Sequence, residues 1–125
     1  MILGIGIDII EHKRIEKIYQ TYGKKFLERY FHQDEIEYSL SKSNPIPHLS
    51  ARFAVKEAVI KTLNIRNRIG LLYRDIEVAG KNFGKKNLVL RGKIAEIAQQ
   101  EGVKKYHFSI THSENFSVAV VILEG

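Results

Sequence analysis

The segment Tyr106-His-Phe-Ser-Ile-Thr-His-Ser-Glu-Asn-Phe-Ser-Val-Ala-Val-Val-Ile-Leu123 reads as two strands, Tyr106 to Thr111 and Ser117 to Leu123, around the polar turn His112–Asn115. A turn of hairpin length forces antiparallel pairing, because a parallel return needs a crossover of roughly a dozen residues or more. At the other end of the chain, Ile2 to Ile10 also alternates. Ile5, Ile7 and Ile9 fall on one face, Gly4, Gly6 and Asp8 on the other, with Ile10 adding an apolar group to that second face. Two bare glycines beside Asp8 leave room for a backbone or a ligand to approach closely.

Between these strands the period changes from two to nearly four. Ile15, Ile18 and Tyr22 lie at helical spacing within Glu11–Tyr22, and Gly23 is a stop signal. Two more amphipathic stretches follow, Lys24 to about Phe31 and Gln33 to about Leu40. Ser41–Pro47, with both prolines of the chain, is expected to be a loop. His48 to Leu63 gives the clearest helix, with a stripe at Ala51, Ala54, Val55, Ala58, Val59, Thr62 and Leu63. Strands are expected at Asp75–Ala79 and Asn87–Leu90 around the turn Gly80–Lys86, then a short helix at Lys93–Gln100 stopped by Gly102. The expectation is one α+β domain over residues 1–125, a mainly antiparallel sheet packed against a long central helix.

Composition bounds the function. With 44% hydrophobic and 27% charged residues the 125-residue chain suits a soluble globular protein. The longest apolar run, Val118–Leu123, is strand-sized, well short of the roughly 20 residues that span a bilayer. No secretory signal pattern opens the sequence, so a cytoplasmic location and no membrane partner are expected. The absence of cysteine excludes disulfides, thiolate metal sites and a cysteine nucleophile. A net charge of +6 favours a polyanionic partner: nucleic acid, a phosphorylated small molecule or an acidic protein. Charge does not choose among them.

Asp8, in a run of isoleucine, leucine and glycine, carries a charge that is costly unless exposed, paired or bound to a metal. Glu57 lies beside the apolar stripe of the central helix, at the expected rim of the core. Two such carboxylates suit Mg²⁺, which takes oxygen ligands and completes its shell with water and substrate phosphates. An ordinary lysine partner is the alternative for each. Lys61, one turn beyond Glu57, reads either as an i,i+4 ion pair or as a point charge for a phosphate oxygen. His112, at a strand end, either holds a phosphate or caps the turn. The basic residues Arg14, Lys17, Lys24 and Lys25, with Ile15, Ile18, Tyr22 and Phe26 among them, suit a solvated face or a docking surface for an acidic partner. No P-loop and no dinucleotide fingerprint is present.

Three motifs in register carry a resemblance: Gly4-Ile-Gly-Ile-Asp-Ile-Ile10, Arg52-Phe-Ala-Val-Lys-Glu-Ala-Val-Ile-Lys61, and Phe108-Ser-Ile-Thr-His112 followed by Val118-Ala-Val-Val121. In order, spacing and total length they resemble the holo-acyl-carrier-protein synthase family of phosphopantetheinyl transferases. The resemblance implies transfer of 4'-phosphopantetheine from coenzyme A to a serine of apo-acyl carrier protein, releasing 3',5'-ADP, in support of fatty acid biosynthesis. It implies that Asp8 and Glu57 bind Mg²⁺, and that Lys61 contacts the phosphates and protonates the leaving group. His112 and Arg52 would touch substrate phosphates, and Gly84 and Lys85 the adenine end of coenzyme A. That turn departs from the family pattern, with Lys86 where Gly-Lys-Pro is common. The serine proton would pass to Glu57 or to a water. The basic helix with Arg14, together with Lys17, Lys24 and Lys25, would dock the carrier protein. A homotrimer with intersubunit active sites is implied, and no nucleic-acid partner. Two rival readings stand beside it, a metal-dependent phosphodiesterase or nuclease, and a basic nucleic-acid-binding module.

Overall fold

The terminal hairpin forms as its alternation dictates. β4 (Lys105–His112) and β5 (Phe116–Glu124) pair antiparallel from Lys105↔Glu124 to His112↔Ser117. The opening strand β1 (Ile2–Glu11) pairs antiparallel on the other side of β5, giving the sheet order β1-β5-β4. This is a computed structural model, and it describes residues 1–80 and 86–125. Three helices follow β1: α1 (His12–Tyr22), α2 (Lys24–Tyr30) and α3 (Gln33–Leu40). Gly23 separates the first two at φ 53°, a left-handed backbone that glycine adopts without Cβ strain. After α4 (Ile46–Thr62) and a single 3-10 turn at Tyr73–Asp75, β2 (Ile76–Ala79) and β3 (Asn87–Leu90) form a second antiparallel pair. The helix α5 (Gly92–Gln100) returns the chain to β4.

Ser41–Pro47 is not wholly a loop, as the sequence led us to expect. The helix α4 begins at Ile46, with proline in its first turn. There the missing N–H has no intrahelical partner to lose, so proline is tolerated. Nor is α4 a one-sided amphipathic helix: from Leu49 to Ile60 every residue except Glu57 is buried, Arg52 and Lys56 included. It is the axis of the fold, with sheet on one side and α1, α3 and β2 around the rest.

The glycines of β1 explain how close that packing is. A Cβ on Gly4 would lie 2.9 Å from the Thr62 carbonyl oxygen, and one on Gly6 would collide with the Ala58 carbonyl and the Thr62 hydroxyl. Strand backbone therefore rests directly on the C-terminal turns of α4, with Asp8 in the same strand. The opposite face of β1 points away: Ile5, Ile7 and Ile9 are 64%, 63% and 60% exposed. Among the described residues no helix is long and apolar enough to cross a membrane.

Candidate functional site

The strand-on-helix contact brings Asp8 to Lys61. The Lys61 ammonium donates to Asp8 Oδ1 at 2.5 Å, with the lysine half-exposed and the aspartate side chain largely buried. Asp8 Oδ2 is buried with no hydrogen-bond partner among the described residues. A charged oxygen left so costs on the order of 1–3 kcal/mol or more. A carboxyl group with one oxygen paired and the other without a partner among the described residues, tied to Lys61 one turn beyond Glu57, offers oxygen ligands suited to a hard cation.

One turn before Lys61, Glu57 is the single residue of the buried α4 span that reaches the rim, as its place beside the stripe implied. Its Oε1 accepts from the Tyr73 hydroxyl at 2.9 Å, and its Oε2 lies 3.9 Å from Arg68 Nη1. Arg68 also donates to the Tyr73 hydroxyl at 2.8 Å. Burial, then the hydrogen bond to Glu57, pushes the Tyr73 phenol up to about 12, so it stays protonated at neutral pH.

The remaining phosphate candidates gather elsewhere. Arg52 and His112 line a cavity of about 500 Å³ together with His48, Lys42, Tyr38 and Lys86. The Arg52 guanidinium stacks over the Tyr38 ring at 4.4 Å and donates through Nη1 to the His48 carbonyl at 3.3 Å. Its Nε is buried without a partner among the described residues. Burial lowers the His48 imidazole below 6.5, and the charges of Arg52, Lys42, Lys86 and His112 add to that. Such a pocket favours an anion. None of Asp8, Glu57 or Lys61 lines it. The chain thus holds its candidate residues in two groups, a carboxylate–lysine group and a basic cavity. Gly84 and Lys85 lie outside the described residues.

Arg14, Lys17, Lys24 and Lys25 are all exposed on α1 and α2, and Lys24 pairs with Glu28 at 3.5 Å. Lys25 and Arg29 flank a groove floored by Ile18, Phe26 and Tyr30 and edged by the exposed Tyr22. A further carboxylate–imidazole cluster, His32, Asp34 and Glu77, is spoken for internally. Arg91 pairs with Glu77 at 2.8 Å, and His32 Nδ1 caps α3 by accepting from the Asp34 amide at 3.2 Å.

Lys56, Tyr73, Arg68 and His48 were not singled out from sequence. Lys56 is fully buried, donating to Glu35 at 2.7 Å, to the Tyr73 carbonyl at 3.2 Å and to the Ile76 carbonyl. Its place at helical spacing from Leu49, Phe53 and Ile60 was a usable sign of burial. For Tyr73 and Arg68 no local pattern pointed to Glu57.

Comparison with known proteins gives the family of the chain. Residues 4–121 match the model of the 4'-phosphopantetheinyl transferase superfamily. A curated holo-[acyl-carrier-protein] synthase of Leptospira biflexa is 44% identical over 120 residues, covering 96% of this chain and 94% of its own. The crystal structure of the holo-[acyl-carrier-protein] synthase from Neisseria meningitidis superposes with a TM-score of 0.86 at 28% identity, covering 100% of both chains. The holo-(acyl-carrier-protein) synthase of Bacillus anthracis, solved in complex with CoA (3',5'-ADP), gives 0.78 at 34% identity over 98% of this chain and 96% of that one.

Proposed function

Since the chain belongs to the 4'-phosphopantetheinyl transferase superfamily, we propose that it is a holo-acyl-carrier-protein synthase working with Mg²⁺. The serine hydroxyl of apo-acyl carrier protein attacks the β-phosphorus of coenzyme A. The new P–O bond forms to serine, whose proton passes to Glu57 or to a water, the bond to the α-phosphate bridging oxygen breaks, and 3',5'-ADP leaves. The observation that carries the reading is the vacant, buried Oδ2 of Asp8 beside Lys61 and the Glu57 turn.

Phosphoryl transfer asks mainly for positioning and for neutralisation of charge on the phosphate oxygens. A Mg²⁺ held by Asp8 and Glu57 would supply Lewis-acid polarisation of the diphosphate. Lys61, half-exposed and tethered to Asp8, would swing to a phosphate oxygen and donate a proton to the leaving group. Arg52, His48 and His112 supply the anion cavity for a further phosphate of coenzyme A. The exposed cations Arg14, Lys17, Lys24 and Lys25, with the adjoining groove, present a complementary surface to an acidic carrier protein. The partners of Asp8 and Glu57 among the described residues are Lys61, Tyr73 and Arg68, none a third carboxylate, which disfavours the nuclease alternative.

The bare isoleucine face of β1 fits a homotrimer in which the carboxylate group of one subunit meets the basic cavity of the next. The same reading places the enzyme in the cytoplasm, supplying holo-carrier protein for fatty acid biosynthesis. Incubation with coenzyme A, Mg²⁺ and apo-carrier protein should add one phosphopantetheine to the carrier by mass. Chelating the metal, or Asp8→Asn, should abolish the addition. An unmodified carrier in the complete mixture rejects the proposed activity.

A further inference from the structure

The partners of the proposed metal ligand Glu57 reach it from outside its own helix. Tyr73 stands on the one-turn 3-10 segment between α4 and β2, and its carbonyl, ring and hydroxyl each have a partner. Its carbonyl accepts from the buried Lys56, itself paired with Glu35. Its ring stacks on Phe53, centroids 5.8 Å apart at 18°, and meets the edge of Tyr30 at 5.1 Å. Its hydroxyl joins Arg68 and Glu57, at 2.8 and 2.9 Å.

The direction of those two bonds is fixed by chemistry. A guanidinium only donates, so the hydroxyl accepts from Arg68 and its single proton is committed to Glu57 Oε1. A neutral donor orients the carboxylate without discharging it, which leaves Oε2 for a cation. Arg68 Nη1 gives its hydrogen bond to the phenol at 2.8 Å and lies 3.9 Å from Oε2, beyond hydrogen-bond length. We infer that Tyr73 is the positioning residue of the site: with its backbone held by Lys56 and its ring stacked on Phe53, its phenol holds Glu57 in the orientation that binds the divalent ion.

The inference rests on Glu57 being a metal ligand, so the test separates the two. Mn²⁺ binding is followed by electron paramagnetic resonance, with coenzyme A present, for the wild type, Tyr73→Phe and Glu57→Gln. Outer partners of metal ligands typically contribute about 10–100-fold to affinity. Tyr73→Phe should weaken Mn²⁺ about tenfold, while saturating Mg²⁺ restores kcat and the melting temperature stays near that of the wild type, since the ring contacts are kept. Glu57→Gln should lose the ion outright. If Tyr73→Phe binds Mn²⁺ like the wild type while Glu57→Gln does not, the positioning role is overturned and the metal site stands. If Glu57→Gln also binds like the wild type, the metal reading falls and takes this inference with it. An equal loss of coenzyme A affinity measured without metal would indicate general damage and overturn the positioning role too.

Discussion

His48 sits where a phosphate would change its charge state. Burial, then Arg52, Lys42, Lys86 and His112, hold its imidazole below the ordinary 6.5, which favours the neutral ring in the free protein. A depressed folded value means the unfolded chain binds more protons, so the stability it contributes is present above 6.5 and is lost as pH falls below it. A bound phosphate acts in the opposite direction, favouring the protonated ring. If the cavity takes a phosphate of coenzyme A as proposed, binding near pH 6.5 should be coupled to proton uptake at this residue. Calorimetry in two buffers of different ionisation enthalpy should give more protons taken up by the wild type than by His48→Gln. Equal uptake would place the phosphate away from His48.

At the scale of elements, the buried Lys56–Glu35 pair ties α4 to α3 and to the start of β2. Glu35 also accepts from the Val78 amide at 3.1 Å and from the His32 amide at 2.9 Å. Removing one member strands the other charge in the core, which costs about 3–5 kcal/mol, whereas replacing both with apolar or neutral groups is far milder. Lys56→Met should lose about that much in denaturant unfolding at fixed protein concentration, and Lys56→Met/Glu35→Gln should recover most of it. A Lys56→Met protein as stable as the wild type would show that the pair does not join these elements. Burial also explains what the sequence concealed. Periodicity and the stops at Gly23 and Gly102 located α1 to α3, α5 and the β4–β5 hairpin, because those signals are local. The start of α4 was masked by Pro47, whose loop signal is ambiguous in a first helical turn. Asp8, Glu57 and Lys61 were legible as a charge inside an apolar strand and two charges beside a stripe. Tyr73 and Arg68 reach Glu57 only through the path of residues 63–72, and the basic cavity joins α4 to His112 across some sixty residues of chain, so neither grouping leaves a local pattern.

For the whole molecule the telling surface is the outer face of the three-stranded sheet. Its registers align Ile5 with Ile122, Ile7 with Val120 and Ile9 with Val118, and continue across to His107, Ser109 and Thr111. Three isoleucines each about three-fifths exposed form an apolar patch that a monomer rarely leaves in water. Covering them offers about 1.5–3 kcal/mol for each fully buried side chain. The inner face is already filled by α4, which leaves this outer face for another copy of the chain in the proposed homotrimer. Ile7→Lys places a charge at the centre of the patch without touching α4. Sedimentation should find the wild type trimeric and Ile7→Lys shifted toward monomer, with its helical content kept and its transferase activity lost. The split between carboxylate group and basic cavity adds a sharper expectation. If each site is shared, Asp8→Asn and His112→Ala, both inactive alone, should regain activity when mixed and allowed to exchange subunits, because some interfaces then pair an intact Asp8 with an intact His112. A wild type that sediments as a monomer, or a mixture that stays silent although subunits exchange, would mean that each chain builds its site alone.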